Sequence, residues 1–173
     1  MKQKAAIAWL LLLALASGVP ALADDLPPPL RVGDTLPELT LEDQHGAQRV
    51  VDASARVILF SRDMDGGDVL KTALEDLPEG TLEARGAVYV SDISGMPGII
   101  ARLFAVPSMR RRPYPMLLDR TGEATALLPD QPGQATMIHL DALRITRIEH
   151  FDDADEARER IMSLVEPRAG PER

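Results

Sequence analysis

The sequence predicts an α/β domain: a mixed central sheet covered by helices, with an N-terminal β-hairpin as an extension. Three observations carry this. Residues 56–61 are a short, mostly apolar run without polar alternation, which suits a strand buried on both faces. Directly after it the apolar period lengthens, with Val69, Leu70, Ala73, Leu74 and Leu77 at helical spacing. Near the C-terminus two strand-like runs, 135–141 and 144–151, are separated only by Ala142-Leu143, as in a tight antiparallel hairpin.

The remaining elements follow in order. After a Pro-rich leader at 24–31, the stretch 33–41 leads through the turn signal Glu42-Asp43-Gln44-His45-Gly46 into 48–51, and the two arms make the N-terminal hairpin. Residues 56–61 are the first core strand, and the helix opening near Asp65 ends at Pro78-Glu79-Gly80. Residues 87–93 form the next strand. Pro97 stands at a first helical position, and Ile99, Ile100, Leu103 and Phe104 supply the apolar face of a short helix. Residues 114–122 read as a strand and turn, and 124–128 as a short strand or helix. A last helix over 153–165 follows the C-terminal hairpin, with Ala157, Ile161, Leu164 and Val165 on one face. Strands alternating with helices favour a parallel centre, while the terminal hairpin adds an antiparallel edge.

Residues 1–23 have the three parts of a cleaved secretory signal. Lys2 and Lys4 form the charged region, 5–16 the apolar region, and Ala21-Leu22-Ala23 the small-residue cleavage site. The apolar run is broken at Ser17-Gly18-Val19-Pro20, short of the roughly 20 residues a membrane span needs. The mature chain is therefore expected to start at Asp24 and to be periplasmic or secreted, without a stable membrane anchor. It comprises one domain over 32–166 and a polar tail at 167–173. Without Lys2 and Lys4 there are 17 basic residues against 27 acidic ones, a net charge of about -10, which argues against nucleic acid as a partner. The chain has no cysteine, so no disulfide can staple it and stability rests on packing. The only aromatics after residue 23 are Phe60, Tyr89, Phe104, Tyr114 and Phe151, so the core is expected to be mainly aliphatic.

The element order, together with Val32-Gly33-Asp34-Thr35-Leu36-Pro37 and Leu41-Glu42-Asp43-Gln44-His45-Gly46 before the first core strand, resembles the thioredoxin-like superfamily. It looks closest to the peroxiredoxin and periplasmic thiol-oxidoreductase branch. The stretch from Tyr114 through Pro115-Met116-Leu117-Leu118-Asp119-Arg120-Thr121 to Gly122 is similar to that branch's extra segment before its third core strand. The resemblance implies a three-layer sandwich and places the family's attacking cysteine at Asp65 and its resolving cysteine at Asp68. Aspartate can neither attack a disulfide nor cycle through one, so dithiol-disulfide chemistry is excluded. The family's cis-proline falls at Ala135, where a cis bond is not expected. The implied protein is a cysteine-free periplasmic bacterial member that acts by binding, its partner another periplasmic protein or a small anionic ligand. No cofactor is indicated: there is no G-x-G-x-x-G motif, and about 150 residues leave little room for a dinucleotide domain beside a substrate domain.

Candidate sites fall in four places. Asp63, Asp65 and Asp68 surround Gly66-Gly67 at the end of a buried strand. They offer hard oxygen ligands for a cation, or else cap the helix, with Asp65 as N-cap and Asp68 in the first turn. The same stretch matches the D-x-D-G of haloacid-dehalogenase-like phosphatases, which would make Asp63 and Asp65 nucleophile and acid/base around magnesium. The only lysine after residue 23 is the nearby Lys71, and Asp92 stands in for the late acidic motif. His139 and His150 lie on the two strands of the terminal hairpin, close enough in sequence for a bridging metal across it; His45 sits in a turn. Ser61 and Ser94 lack a nucleophile-elbow sequence. Arg110-Arg111-Arg112, flanked by Arg102 and Arg120, is the one basic cluster, and Pro113 and Pro115 direct a loop that presents Tyr114 to a partner.

Overall fold

The computed structural model describes residues 28–165. The signal segment, the first part of the leader and the 167–173 tail lie outside the described residues. Seven strands form one mixed sheet in the order β2-β1-β5-β4-β3-β6-β7. The N-terminal hairpin pairs β1 (Leu39–Asp43) with β2 (Gln48–Val51), and β1 also runs antiparallel to β5 (Met116–Asp119). The parallel centre consists of β3 (Val57–Ser61), β4 (Ala87–Asp92) and β5. On the other side β3 pairs antiparallel with β6 (Ala135–Asp141), which continues into β7 (Arg144–Phe151).

Every residue of β3 is buried, as its unbroken apolar run requires for the middle of a covered sheet. Helix α1 (Met64–Ala73) and helix α5 (Ala154–Val165) pack together on one face through Leu70, Ala73, Leu74, Ala157 and Ile161, over Leu59 and Met137 of the sheet. A single turn, α2 (Thr81–Ala84), adds Leu82 to this core before β4. The connection from β4 to β5 crosses the same face as α3 (Gly98–Ile100), a π-helical stretch (Ala101–Ala105) and α4 (Val106–Met109). The opposite face has its own core of Ile58, Phe60, Val90, Leu117 and Ile138. It is covered by Leu30, Leu36 and the 124–128 segment, so irregular chain supplies the third layer.

Three local expectations are corrected. Residues 124–128 form turns, because Thr125 and Leu128 are held by the polar cluster described below instead of by a strand partner. Pro97 caps α3 in an extended conformation and does not occupy its first turn. The apolar positions Ile99, Ile100, Leu103 and Phe104 are exposed, Phe104 at 69 %, while Ala101 and Val106 face the core. The four side chains do share a side, as their spacing implies, but that side points outward and the segment meets the core through Ala101 and Val106 instead.

The start of α1 is pressed against the chain entering β6. A Cβ added at Gly66 would lie 2.7 Å from the Gln134 carbonyl carbon and closer still to its oxygen, so only glycine fits. Gly67 has room: its Cβ position meets only the Ser61 hydroxyl, at 3.8 Å. Gly66→Ala should therefore lower stability in urea unfolding by about 1–3 kcal/mol through overpacking. Gly67→Ala should raise it by up to about 1 kcal/mol through helix propensity. Equal effects at the two positions would contradict the close approach.

Candidate functional site

The functional corner lies where β3 and β4 end. Asp63, not Asp65, is the N-cap of α1: its Oδ1 accepts the Gly66 N–H at 2.9 Å. Its Oδ2 accepts the Gly133 N–H at 2.6 Å, which ties the helix start to the turn preceding β6. Both carboxylate oxygens are thereby engaged at the positive end of the helix. Asp65 is exposed in the first turn, and Asp68, one turn later, pairs with Lys71 at 3.1 Å on the surface. No cis peptide bond occurs among the described residues, and the bond before Ala135 is trans.

Arg62, the residue following β3, organises the floor of this corner. Its Nη1 donates to Asp92 Oδ2 at 3.0 Å, and its Nη2 donates to the carbonyls of Thr125 and Leu128 at 2.9 and 3.1 Å. Nε is 2.8 Å from Asp130 Oδ1 with its N–H directed elsewhere, so that contact is an ion pair without a hydrogen bond. The guanidinium also lies 5.1 Å from the ring centre of Phe60, two residues back on the same face of the strand. Behind it the Thr125 hydroxyl shares its single proton between Asp92 Oδ2 at 3.1 Å and Asp119 Oδ2 at 2.9 Å. Asp119 further accepts the N–H groups of Thr121, Gly122 and Thr125. Burial disfavours the charged form of Asp119, but these hydrogen bonds together outweigh it and hold the carboxyl below the usual aspartate value.

Between α1 and the α3–α4 segment opens a cleft of about 510 Å³. Its floor carries Tyr89 and Ser91, with the Ser61 hydroxyl 3.4 Å from the Tyr89 hydroxyl and donating to Ser91 at 3.2 Å. Burial pushes the Tyr89 phenol up to about 12, so it stays a neutral hydroxyl. Apolar side chains dominate the walls, among them Met64, Met96, Ile100, Met109 and Met116, and Met64 is 73 % exposed at the lip. Asp63, Asp68, Lys71 and Arg112 also line it.

The expected loop splits in the structure. Arg110 Nε donates to the Gln44 carbonyl at 2.8 Å, Arg111 folds back on Pro107 and Ser108, and only Arg112 reaches the cleft. Tyr114 is buried at 4 % exposure and forms cleft wall; it is not presented by the loop. The signal missed in the sequence is Gln44. Fully buried, its amide donates to the Tyr114 carbonyl at 2.9 Å and accepts the Met116 N–H at 2.8 Å, fixing that wall across 70 residues of chain.

Several proposed constellations do not assemble. Asp63 and Asp65 do not converge: the first is bound by backbone amides and the second lies off the cleft. Lys71 is held by Asp68 and Asp92 by Arg62, so the phosphatase arrangement is absent. Among the described residues no three acidic or histidine side chains gather as a metal cluster, which removes the Asp63, Asp65 and Asp68 triad. His150 pairs with Thr136 and His139 with Arg147 in the hairpin register; an odd separation along β6 puts the two histidines on opposite faces. His139 instead contacts Glu149 at 2.7 Å, and His150 Nδ1 lies 3.0 Å from the Thr136 hydroxyl. His45 and Ser94 are exposed.

The sheet order and the corner at the end of β3 define a thioredoxin-like α/β fold, here without cysteine. Among solved structures, the chain is similar to peroxidoxin BcpB from Mycobacterium tuberculosis, at 20 % identity and a TM-score of 0.53, covering 78 % of this chain and 96 % of that one. It is also similar to a peroxiredoxin-like protein from Aquifex aeolicus, at 12 % identity and a TM-score of 0.51, covering 81 % and 91 %. The chain matches no family model, and no curated protein matches it in sequence.

The Asp119 cluster sets an acid limit to stability. Its carboxyl is depressed in the folded state, so its stabilisation is present above the unfolded value of about 3.9 and is lost as pH falls through the folded value. Asp119→Asn should cost about 1–3 kcal/mol at pH 7 and fall less steeply in stability below about pH 4 when unfolding is followed in urea. An unchanged acid slope would contradict the assignment.

Proposed function

We propose that this chain is an exported, non-redox binding domain, and that the cleft between α1 and the α3–α4 segment receives what it binds. The observation that carries the reading is the cleft itself. It opens at the carboxyl ends of the parallel strands, where α/β proteins commonly place ligands, in a chain that cannot perform thiol chemistry. The exposed Met64 and Ile100 at its lip have no covering segment among the described residues, which supports an occupant from outside the domain. The order of elements favours the peroxiredoxin and periplasmic thiol-oxidoreductase branch as the ancestry of this scaffold. The charged, apolar and small-residue sequence of 1–23 supports export and a periplasmic or secreted location. The acidic composition favours a protein or small-molecule partner over nucleic acid.

Two assays test this. Purified protein should reduce neither insulin disulfides nor peroxide; measurable turnover of either would overturn a non-redox role. N-terminal sequencing of protein from the exported fraction should begin at Asp24, and retention of Lys2 and Lys4 there would overturn cleavage at the expected site.

A further inference from the structure

We infer that the cleft selects a small amphiphile with a single carboxylate, its head group on Arg112 and the Tyr114 hydroxyl and its hydrocarbon tail along the methionines. This rests on the reading of the cleft as the binding site and adds the class of ligand.

The charges around the cleft are unevenly satisfied. Asp92 is paired with Arg62, Asp68 with Lys71, and Asp63 with two backbone amides. Arg112 is half-buried and lines the cleft, yet no group among the described residues accepts a hydrogen bond from its guanidinium or forms an ion pair with it. Its neighbours Arg110 and Arg111 both donate to nearby oxygens. A half-buried guanidinium with unspent donors is the group that a planar carboxylate fits. The Tyr114 side chain lines the same cleft, and its hydroxyl has no protein partner among the described residues. Arg112, Tyr89 and Tyr114 all line this one cleft, so a cation and two hydroxyl-bearing rings face the same space. One unpaired cation fits a singly charged head; a dianion would also meet Asp63 and Asp68 at the rim.

The rest of the lining suits a flexible tail. Of the seven methionines in the chain, Met64, Met96, Met109 and Met116 line this one cleft. Unbranched, polarisable thioethers reshape around a chain of variable conformation, where branched residues would present a fixed mould. The volume lies within the range of about 300–1,000 Å³ found for small-molecule sites.

The test is a titration of the full chain, carrying methyl-13C methionine, with decanoate below its micelle concentration. The Met64, Met96, Met109 and Met116 methyl signals should shift together and saturate, while those of Met137 in the core and Met162 on α5 stay in place. Arg112→Gln, with an unchanged Met137 signal as the check on folding, should weaken decanoate about tenfold or more. Decanol should bind the wild type no better than it binds the variant. Equal affinity for decanoate and decanol, or no loss in Arg112→Gln, would overturn the carboxylate assignment and leave the cleft reading intact. A leucine-terminated peptide that displaces decanoate with higher affinity would overturn the small-amphiphile class while leaving the carboxylate contact and the cleft reading intact. If neither amphiphile moves the cleft methyls but an apolar dye does, the ligand class falls alone. If no probe moves them, the reading of the cleft as the binding site falls as well.

Discussion

Arg62 emerges from the middle of the sheet just where β3 must hand the chain to α1, and its guanidinium is spent in four directions. It pairs with Asp92 at the end of β4, holds the Thr125 and Leu128 carbonyls, and lies against Asp130. Arg62 is partly exposed, but Asp92 is buried, and a buried carboxylate left without its partner is costly. The 120–130 segment has no strand or helix to order it; Asp119, at the end of β5, and Thr125 do so through the same cluster. One cover of the second core and the exit of two central strands are thus set by one polar network.

A second constraint acts from the opposite side of the cleft. Gln44 sits in what reads locally as an ordinary turn, but its amide group is the hydrogen-bonding partner of the chain entering β5. It positions Tyr114 and Met116 as wall and leaves Arg112 at the mouth. Asp63 and Gly66 bind the helix start to the turn before β6, closing the corner from its third side. The corner is a polar-floored, methionine-walled space.

Local chemistry made much of the fold legible. The unbroken apolar run of β3, the helical spacing after it and the two-residue hairpin between β6 and β7 each imply their element without reference to any other. Pairing partners far apart in sequence were not legible by such means. Arg62 meets Asp92 and Thr125 at separations of 30 and 63 residues, and no periodicity announces a hydrogen bond. Residues 97–104 misled for a different reason: their apolar spacing is real, but the side it forms faces solvent while the small Ala101 meets the core. Of the candidate site, the location at the end of β3 was readable from the aspartate and glycine pattern. The identity of the cap, the burial of Tyr114 and the separation of Arg112 from its two neighbours depended on tertiary contacts.

The Arg62–Asp92 pair ties the ends of β3 and β4 together, and a double-mutant cycle measures that pair directly. Arg62→Gln, Asp92→Asn and the double variant should be compared by urea unfolding at neutral pH. A coupling of about 1–3 kcal/mol, with the double variant less destabilised than the sum of the single ones, is the predicted result. Additive effects within about 0.5 kcal/mol would show that the pair does not hold the corner together.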